Sequence, residues 1–283
     1  MGYRPVGRFS FCCRSISRHG DSRQTWFALG LDRMTYESEK QLYDEHGFVI
    51  VRQLLSESEF AALRENVDRY VREVVPTLPD SEAFYQDRTR PETLKQLQRM
   101  GRDRYFLDFM QNPKLNGLAT ALIGEQVTAE QPEWFNKPPG TNHVTPPHQD
   151  NYYFCLAPSN VATIWMALDS VDAENGCLRY VSGSHRGGYR NHAKSKILGF
   201  SQGIIDYTPD DFTREVAICL QPGDVVAHHG MTIHRADANI SPTRNRRSFA
   251  MVFQGVSCQR DEEAFSRYMA AAREQRQEMG LKN

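Results

Sequence analysis

Nothing in the 283 residues approaches the ~18-residue apolar run of a membrane helix, so no membrane-spanning helix is expected. No charge of one sign dominates either. The formal net charge is −1, which leaves no global positive field to hold nucleic acid or an anionic bilayer, and neither partner is expected. Cysteine is scarce: six residues with no CxxC spacing, too few for a secreted disulfide scaffold of this length. A reducing, cytoplasmic setting follows. There is no internal repeat, low-complexity tract or Gly/Ser linker, so nothing divides the chain in two. What is present, 40% hydrophobic and 24% charged residues, is enough for one large globular core.

Residues 1–33 are poor in acids. Six arginines and four serines stand against only Asp21 and Asp32, with no hydrophobic periodicity. That composition suits an organelle transit peptide, a disordered tail, or translated sequence upstream of a natural start at Met34. The domain expectation is a disordered or non-native extension over 1–33 and a single domain over 34–283.

Helical signals come first. Residues 56–75 place Phe60, Leu63, Val67, Val71 and Val74 at helical spacing, after Ser56 with Glu59 three residues on, a capping-box pattern. A second helix is expected over about residues 92–100, a third over 113–124 closed by Gly124, and a last over 261–278. From about residue 126 the chain turns to short β-rich runs bounded by turn residues: "VATIWMAL", "LRYVSG", "EVAICLQPGDVVAHHG" and "RRSFAMVFQG". The fold class expected is mainly β with flanking helices: a jelly roll, cupin-like, behind an N-terminal helical region.

The histidines bear on function. "PPHQDNYYF" holds His148 and Asp150 one residue apart, but nine His and 17 Asp in 283 residues give about half such a pair by chance. His19 and Asp21 have the same spacing with no strand to sit on. Context favours the first pair, at a strand edge, and a jelly roll can set a distant histidine opposite it. His234, 84 residues beyond Asp150, lies between two expected core strands. Two imidazoles and one carboxylate on one face of an octahedral ion is the arrangement of non-haem iron(II) oxygenases. A carboxylate-bearing co-substrate then needs an inward cation on the next strand. Of Arg244, Arg246 and Arg247, Arg246 shares a face with the small residues Ser248 and Ala250.

These residues also resemble a family. "NKPPGTNHVTPPHQDNYYF", "IWMAL", "NGCLRYVSGSHRG", "PGDVVAHHGMTIHRADANIS" and "RRSFAMVF" are similar, in order and spacing over about residues 40–260, to the phytanoyl-CoA dioxygenase family of Fe(II)/2-oxoglutarate oxygenases. The resemblance implies a double-stranded β-helix in which His148, Asp150 and His234 bind Fe(2+). It implies that Arg246 pairs with the 5-carboxylate of 2-oxoglutarate, that Trp165 and Lys95 line the co-substrate pocket, and that O2 is the second co-substrate. The chain departs from the family pattern at Arg235-Ala236, where Gly-Ser is familiar, and at Glu133, where the pocket is often apolar. Retention of Asp150, which related halogenases replace by a small residue, favours hydroxylation or desaturation.

The function expected is hydroxylation of an unactivated C–H of a small molecule, with conversion of 2-oxoglutarate and O2 to succinate and CO2. The alternatives are a non-catalytic jelly-roll binding protein and a metal-dependent hydrolase on a cupin-like barrel. Of His228 and His229, alternation sends one inward and one outward. Tyr152, Tyr153 and Phe154 are expected to divide between core and substrate mouth, and Cys155, Cys177 and Cys219 to fill the core. The basic loop over 184–196 suggests an anionic substrate, with a solvated loop as the plainer reading.

Overall fold

The computed structural model describes residues 35–197 and 200–278, and the extension over 1–33 lies outside them. The first elements are α1 (Glu37–His46), β1 (Phe48–Val51), α2 (Glu57–Arg69), β2 (Ala83–Tyr85), β3 (Leu94–Leu97), α3 (Arg104–Phe109) and α4 (Pro113–Ile123). Then follow β4 (Val127–Ala129), β5 (Glu133–Lys137), β6 (Thr145–His148), the single turn α5 (Asn151–Phe154), β7 (Leu156–Ala157), β8 (Val161–Ala167) and β9 (Leu178–Val181). The chain continues through β10 (His192–Ile197), β11 (Phe200–Ile204), α6 (Pro209–Thr213), β12 (Glu215–Ile218) and β13 (Val225–His229). Last come β14 (His234–Ala236), β15 (Arg246–Gly255), β16 (Gln259–Arg260) and α7 (Glu262–Glu278).

Local chemistry accounts for the helix ends. Ser56 Oγ accepts from the Glu59 amide, and the Glu59 carboxylate accepts from the Ser56 amide at 2.7 Å, so two orphan donors at the start of α2 are satisfied. Asn112 caps α4 by its side chain alone, Oδ1 accepting from the Lys114 and Leu115 amides. Gly47, at φ +83°, turns α1 directly into β1. A Cβ there would stand 2.5 Å from both His185 Nδ1 and Thr232 Oγ1, so the turn needs glycine for its space as well as its angle.

The helix expected over about 92–100 does not form. Residues 91–93 make a 3-10 turn and the next four are β3, which pairs with β2 on one side and β5 on the other. Leu97 lies opposite Trp134 and is fully buried, so ladder pairing and core burial override the helical leaning of a short polar segment.

Among the described residues two antiparallel sheets make the jelly roll. The larger has the order β1-β13-β8-β15-β5-β3-β2, with β4 also on β15; the smaller is β12-β9-β14-β6. Strand alternation sorts their side chains into two populations. Outward from the larger sheet, Ile164, Met166, Phe249, Met251 and Phe253 pack with Leu63, Phe106 and Leu118 of the helices in one buried cluster. Inward, Trp165 and Ala250 pack with Leu178, Tyr180 and Ala236 of the smaller sheet. The inward population is thin at one end, and there the polar side chains collect. Cys155 and Cys177 are buried as expected of core fillers; Cys219 is exposed, because the outer strand β12 ends there on the open edge of its sheet.

Candidate metal centre

β14 lies between β6 and β9, in a register that sets His234 opposite His148 on one side and Tyr180 on the other. Asp150 follows β6 at the head of α5. One ligand atom from each of His148, Asp150 and His234 lies within 4.8 Å of the others. Both imidazoles turn Nε2 toward the same carboxylate oxygen: Asp150 Oδ1 is 3.4 Å from His148 Nε2 and 3.6 Å from His234 Nε2. The ring nitrogens on the far side are committed. His148 Nδ1 donates to the Pro146 carbonyl at 2.8 Å and His234 Nδ1 to the Thr232 carbonyl at 3.0 Å. Each ring is thus held in the tautomer whose Nε2 lone pair faces inward.

The second carboxylate oxygen is held separately. Asp150 Oδ2 accepts from Thr163 Oγ1 at 2.8 Å and from His228 Nε2 at 2.9 Å, and Tyr180 OH donates to His228 Nδ1 at 2.9 Å. His228 is the inward member of its pair; His229 faces outward toward Tyr43 and His185. Burial acts to raise the Asp150 carboxyl, but the imidazoles of His234, His148 and His228 outweigh it and hold Asp150 well below the ordinary range. Burial, with His148 beside it, pushes His234 well down, toward the neutral form that a metal needs.

Beside the triad opens a cavity of about 130 Å³ whose lining includes Lys95, Trp165, Arg246, Lys137, His143 and Arg235. Arg246 reaches it from β15, 4% exposed, with its guanidinium 5.4 Å over the Trp165 ring and its Nε buried without a partner. Its neighbours are occupied elsewhere: Arg244 by Asp172 and Glu174, Arg247 by Asp169 and Asp68. Lys95 Nζ donates to His143 Nε2 at 2.7 Å, and burial pushes the lysine down to about 8. Lys137, next to Arg246 across the ladder, spends its donors on the carbonyls of Asp237 and Ala236. The sequence reading missed Lys137, His143 and the inward role of His228. Alternation along "EWFNK" and "VVAHH" carried a signal for the first and last; nothing marked His143.

This constellation can be set beside known proteins. The family model described as phytanoyl-CoA dioxygenase matches residues 43–248. The chain belongs to the phytanoyl-CoA dioxygenase family. It is 27% identical over 250 residues to the mouse peroxisomal phytanoyl-CoA dioxygenase, covering 83% of this chain and 73% of the relative. Among solved structures, EvdO2 from Micromonospora carbonacea, complexed with 2-oxoglutarate, is 28% identical with a TM-score of 0.63, covering 79% of this chain and 91% of EvdO2. The epimerase SnoN, at 21% identity and a TM-score of 0.65 over 80% of this chain and 86% of its own, shares the fold.

Membership of the phytanoyl-CoA dioxygenase family makes the chain an Fe(II)/2-oxoglutarate-dependent dioxygenase in class, with iron, 2-oxoglutarate and O2 as its cofactors. The residues present fit that set. Two imidazoles and a carboxylate converge with their remaining atoms satisfied, and Arg246, whose Nε has no partner, lines a cavity rich in cations, suited to a dicarboxylate. No helix among the described residues is long and apolar enough to cross a membrane.

Proposed function

We propose that this chain, as one domain over residues 34–283, hydroxylates a C–H of a small molecule, with His148, Asp150 and His234 as metal ligands and Arg246, Trp165 and Lys95 seating 2-oxoglutarate. The observation that carries the reading is the pair of imidazole Nε2 atoms at 3.4 and 3.6 Å from one oxygen of Asp150, beside a cavity lined by a buried, unpaired guanidinium. The chemistry that iron supplies when bound is activation of O2, coupled to decarboxylation of 2-oxoglutarate to succinate and CO2, with the second oxygen atom entering a substrate C–H bond.

The protein's own share is position. Thr163 and His228 occupy Asp150 Oδ2, which leaves Oδ1 as the free donor. Arg246, desolvated and without a carboxylate of its own, is built to take the far carboxylate of the co-substrate, and Lys95 adds a second cation at neutral pH. Trp165, Phe135 and Leu178 form apolar wall that keeps bulk water from the charged end. The thiols of Cys155, Cys177 and Cys258, which form no disulfide, support a reducing, cytoplasmic setting.

The test needs no substrate. Protein loaded anaerobically with Fe(II) and 2-oxoglutarate should show a weak visible metal-to-ligand charge-transfer band, lost in Asp150→Ala and requiring far more 2-oxoglutarate in Arg246→Ala. Absence of the band from folded, iron-loaded protein would overturn the proposal.

A further inference from the structure

The metal triad stands between two cavities of opposite character. On the co-substrate side the lining carries Lys95, Lys137, Arg235 and Arg246, with Asp150 the single carboxylate. On the other side, sharing His148 and Asp150, lies a second cavity of about 280 Å³ that has no lysine or arginine in its lining and adds a second carboxylate, Glu133. Glu133 is on the inward face of β5, opposite Ala250, whose methyl leaves the space before it open. Among the described residues its one hydrogen bond comes from the Gln96 side-chain amide at 3.2 Å, and it has no ion pair. Burial raises its carboxyl to about 7, so a bound cation would relieve a carboxyl that its surroundings solvate poorly.

The rest of that lining suits a small polar molecule with an aliphatic part. Gln98, Gln131 and Ser201 offer hydrogen bonds, while Phe154 and Val252 offer apolar surface. In the basic loop over 184–196, which pointed to an anionic substrate, three cations are engaged: Arg186 on the Asp44 and Glu45 carbonyls, Arg190 on Asp206 and Asp211, Lys194 on Glu274 and Glu278.

We propose that the cavity beside Glu133 takes a small substrate bearing an ammonium group, whose charge pairs with Glu133 while a neighbouring C–H faces His148 and Asp150. The proposal rests on the oxygenase function above. The division of charge across the triad carries it: the cationic side draws the dicarboxylate co-substrate, and the acidic side selects against a second anion and for a cation.

The test uses the full chain loaded anaerobically with Fe(II) and 2-oxoglutarate, its visible band already recorded. That band separates the two ideas, since its absence would sink the oxygenase reading before the substrate class is asked about. Choline is titrated against its uncharged isostere 3,3-dimethylbutan-1-ol, and ethanolamine against propan-1-ol, by calorimetry and by perturbation of the band. The ammonium member of at least one pair should bind about tenfold tighter or more, through a charge-assisted hydrogen bond to Glu133 for ethanolamine and through charge attraction alone for choline. Glu133→Gln should erase the preference and keep the band. Val252→Phe, which narrows the same cavity and leaves the carboxylate in place, should weaken the ammonium probe. Equal binding of charged and uncharged members in both pairs, a preference that survives Glu133→Gln, or indifference to Val252→Phe overturns the proposal.

Discussion

Replacing Arg246 by methionine is expected to strengthen the metal-free fold while crippling 2-oxoglutarate binding. The residue is 4% exposed, and burial pushes its guanidinium down to about 10. At about 1.4 kcal/mol for each tenfold, that desolvation costs the fold roughly 3 kcal/mol. The folded value lies below the unfolded one, so the cost is present in full below about pH 10 and is relieved only as pH rises through it. Methionine removes the cost, and loss of the contact over Trp165, 5.4 Å from the ring, takes back about 1–2 kcal/mol. A net gain of about 1–2 kcal/mol remains, consistent with apolar replacements of buried charges elsewhere. Binding moves the other way, because a dicarboxylate entering the cavity would be left with one carboxylate buried and unpaired. That penalty of about 3–5 kcal/mol lowers affinity at least a hundredfold. Urea denaturation of metal-free protein at pH 7 reads the first quantity, and anaerobic titration of the charge-transfer band reads the second. A variant that loses stability and still binds 2-oxoglutarate normally would refute both the cost assigned to the buried guanidinium and the place given to the carboxylate.

Two further outcomes follow from the same structure. His228→Leu leaves Asp150 Oδ2 with only the Thr163 hydroxyl, and Fe(II) affinity should fall about 10- to 100-fold in competition with a chromogenic chelator; unchanged affinity would deny His228 any part in orienting the carboxylate. Glu133→Gln should stabilise the metal-free protein by about 1–3 kcal/mol at pH 8 and leave it unaltered near pH 4. The sign follows from a folded value raised above the unfolded one: the penalty appears as pH rises past the ordinary carboxyl range and is complete above about 7. Denaturation midpoints that do not diverge between the two pH values would contradict it.

Much of this molecule was legible in its sequence because the deciding interactions are local. The capping box at Ser56 and Glu59 spans four residues, and the inward setting of Arg246 follows from alternation with Ser248 and Ala250 along one strand. The motif order from Asn136 to Phe253 likewise pointed to the jelly roll by resemblance, and each β-rich run carries its own turn signals. Residues 92–100 were misread because four residues of "LKQL" do not distinguish helix from strand, and the partners that settle it, β2 and β5, lie elsewhere in the chain.

The site divides in the same way. Composition, spacing and resemblance singled out His148, Asp150 and His234, yet a pattern of residue types contains no distances. Tertiary structure alone brings the two Nε2 atoms to one oxygen of Asp150 and hangs the other oxygen on Thr163 and on His228, which Tyr180 holds from behind. It also decides which charges remain free. Arg186, Arg190 and Lys194 of the basic run looked available as sequence, but α6, α7 and the end of α1 supply acids and carbonyls that engage them, whereas Glu133, one acid among 35, faces a cavity with no lysine or arginine in its lining. A sequence determines which side chains it has and which face of a strand they take; whether a charge is spent or waiting depends on residues that only folding brings within reach.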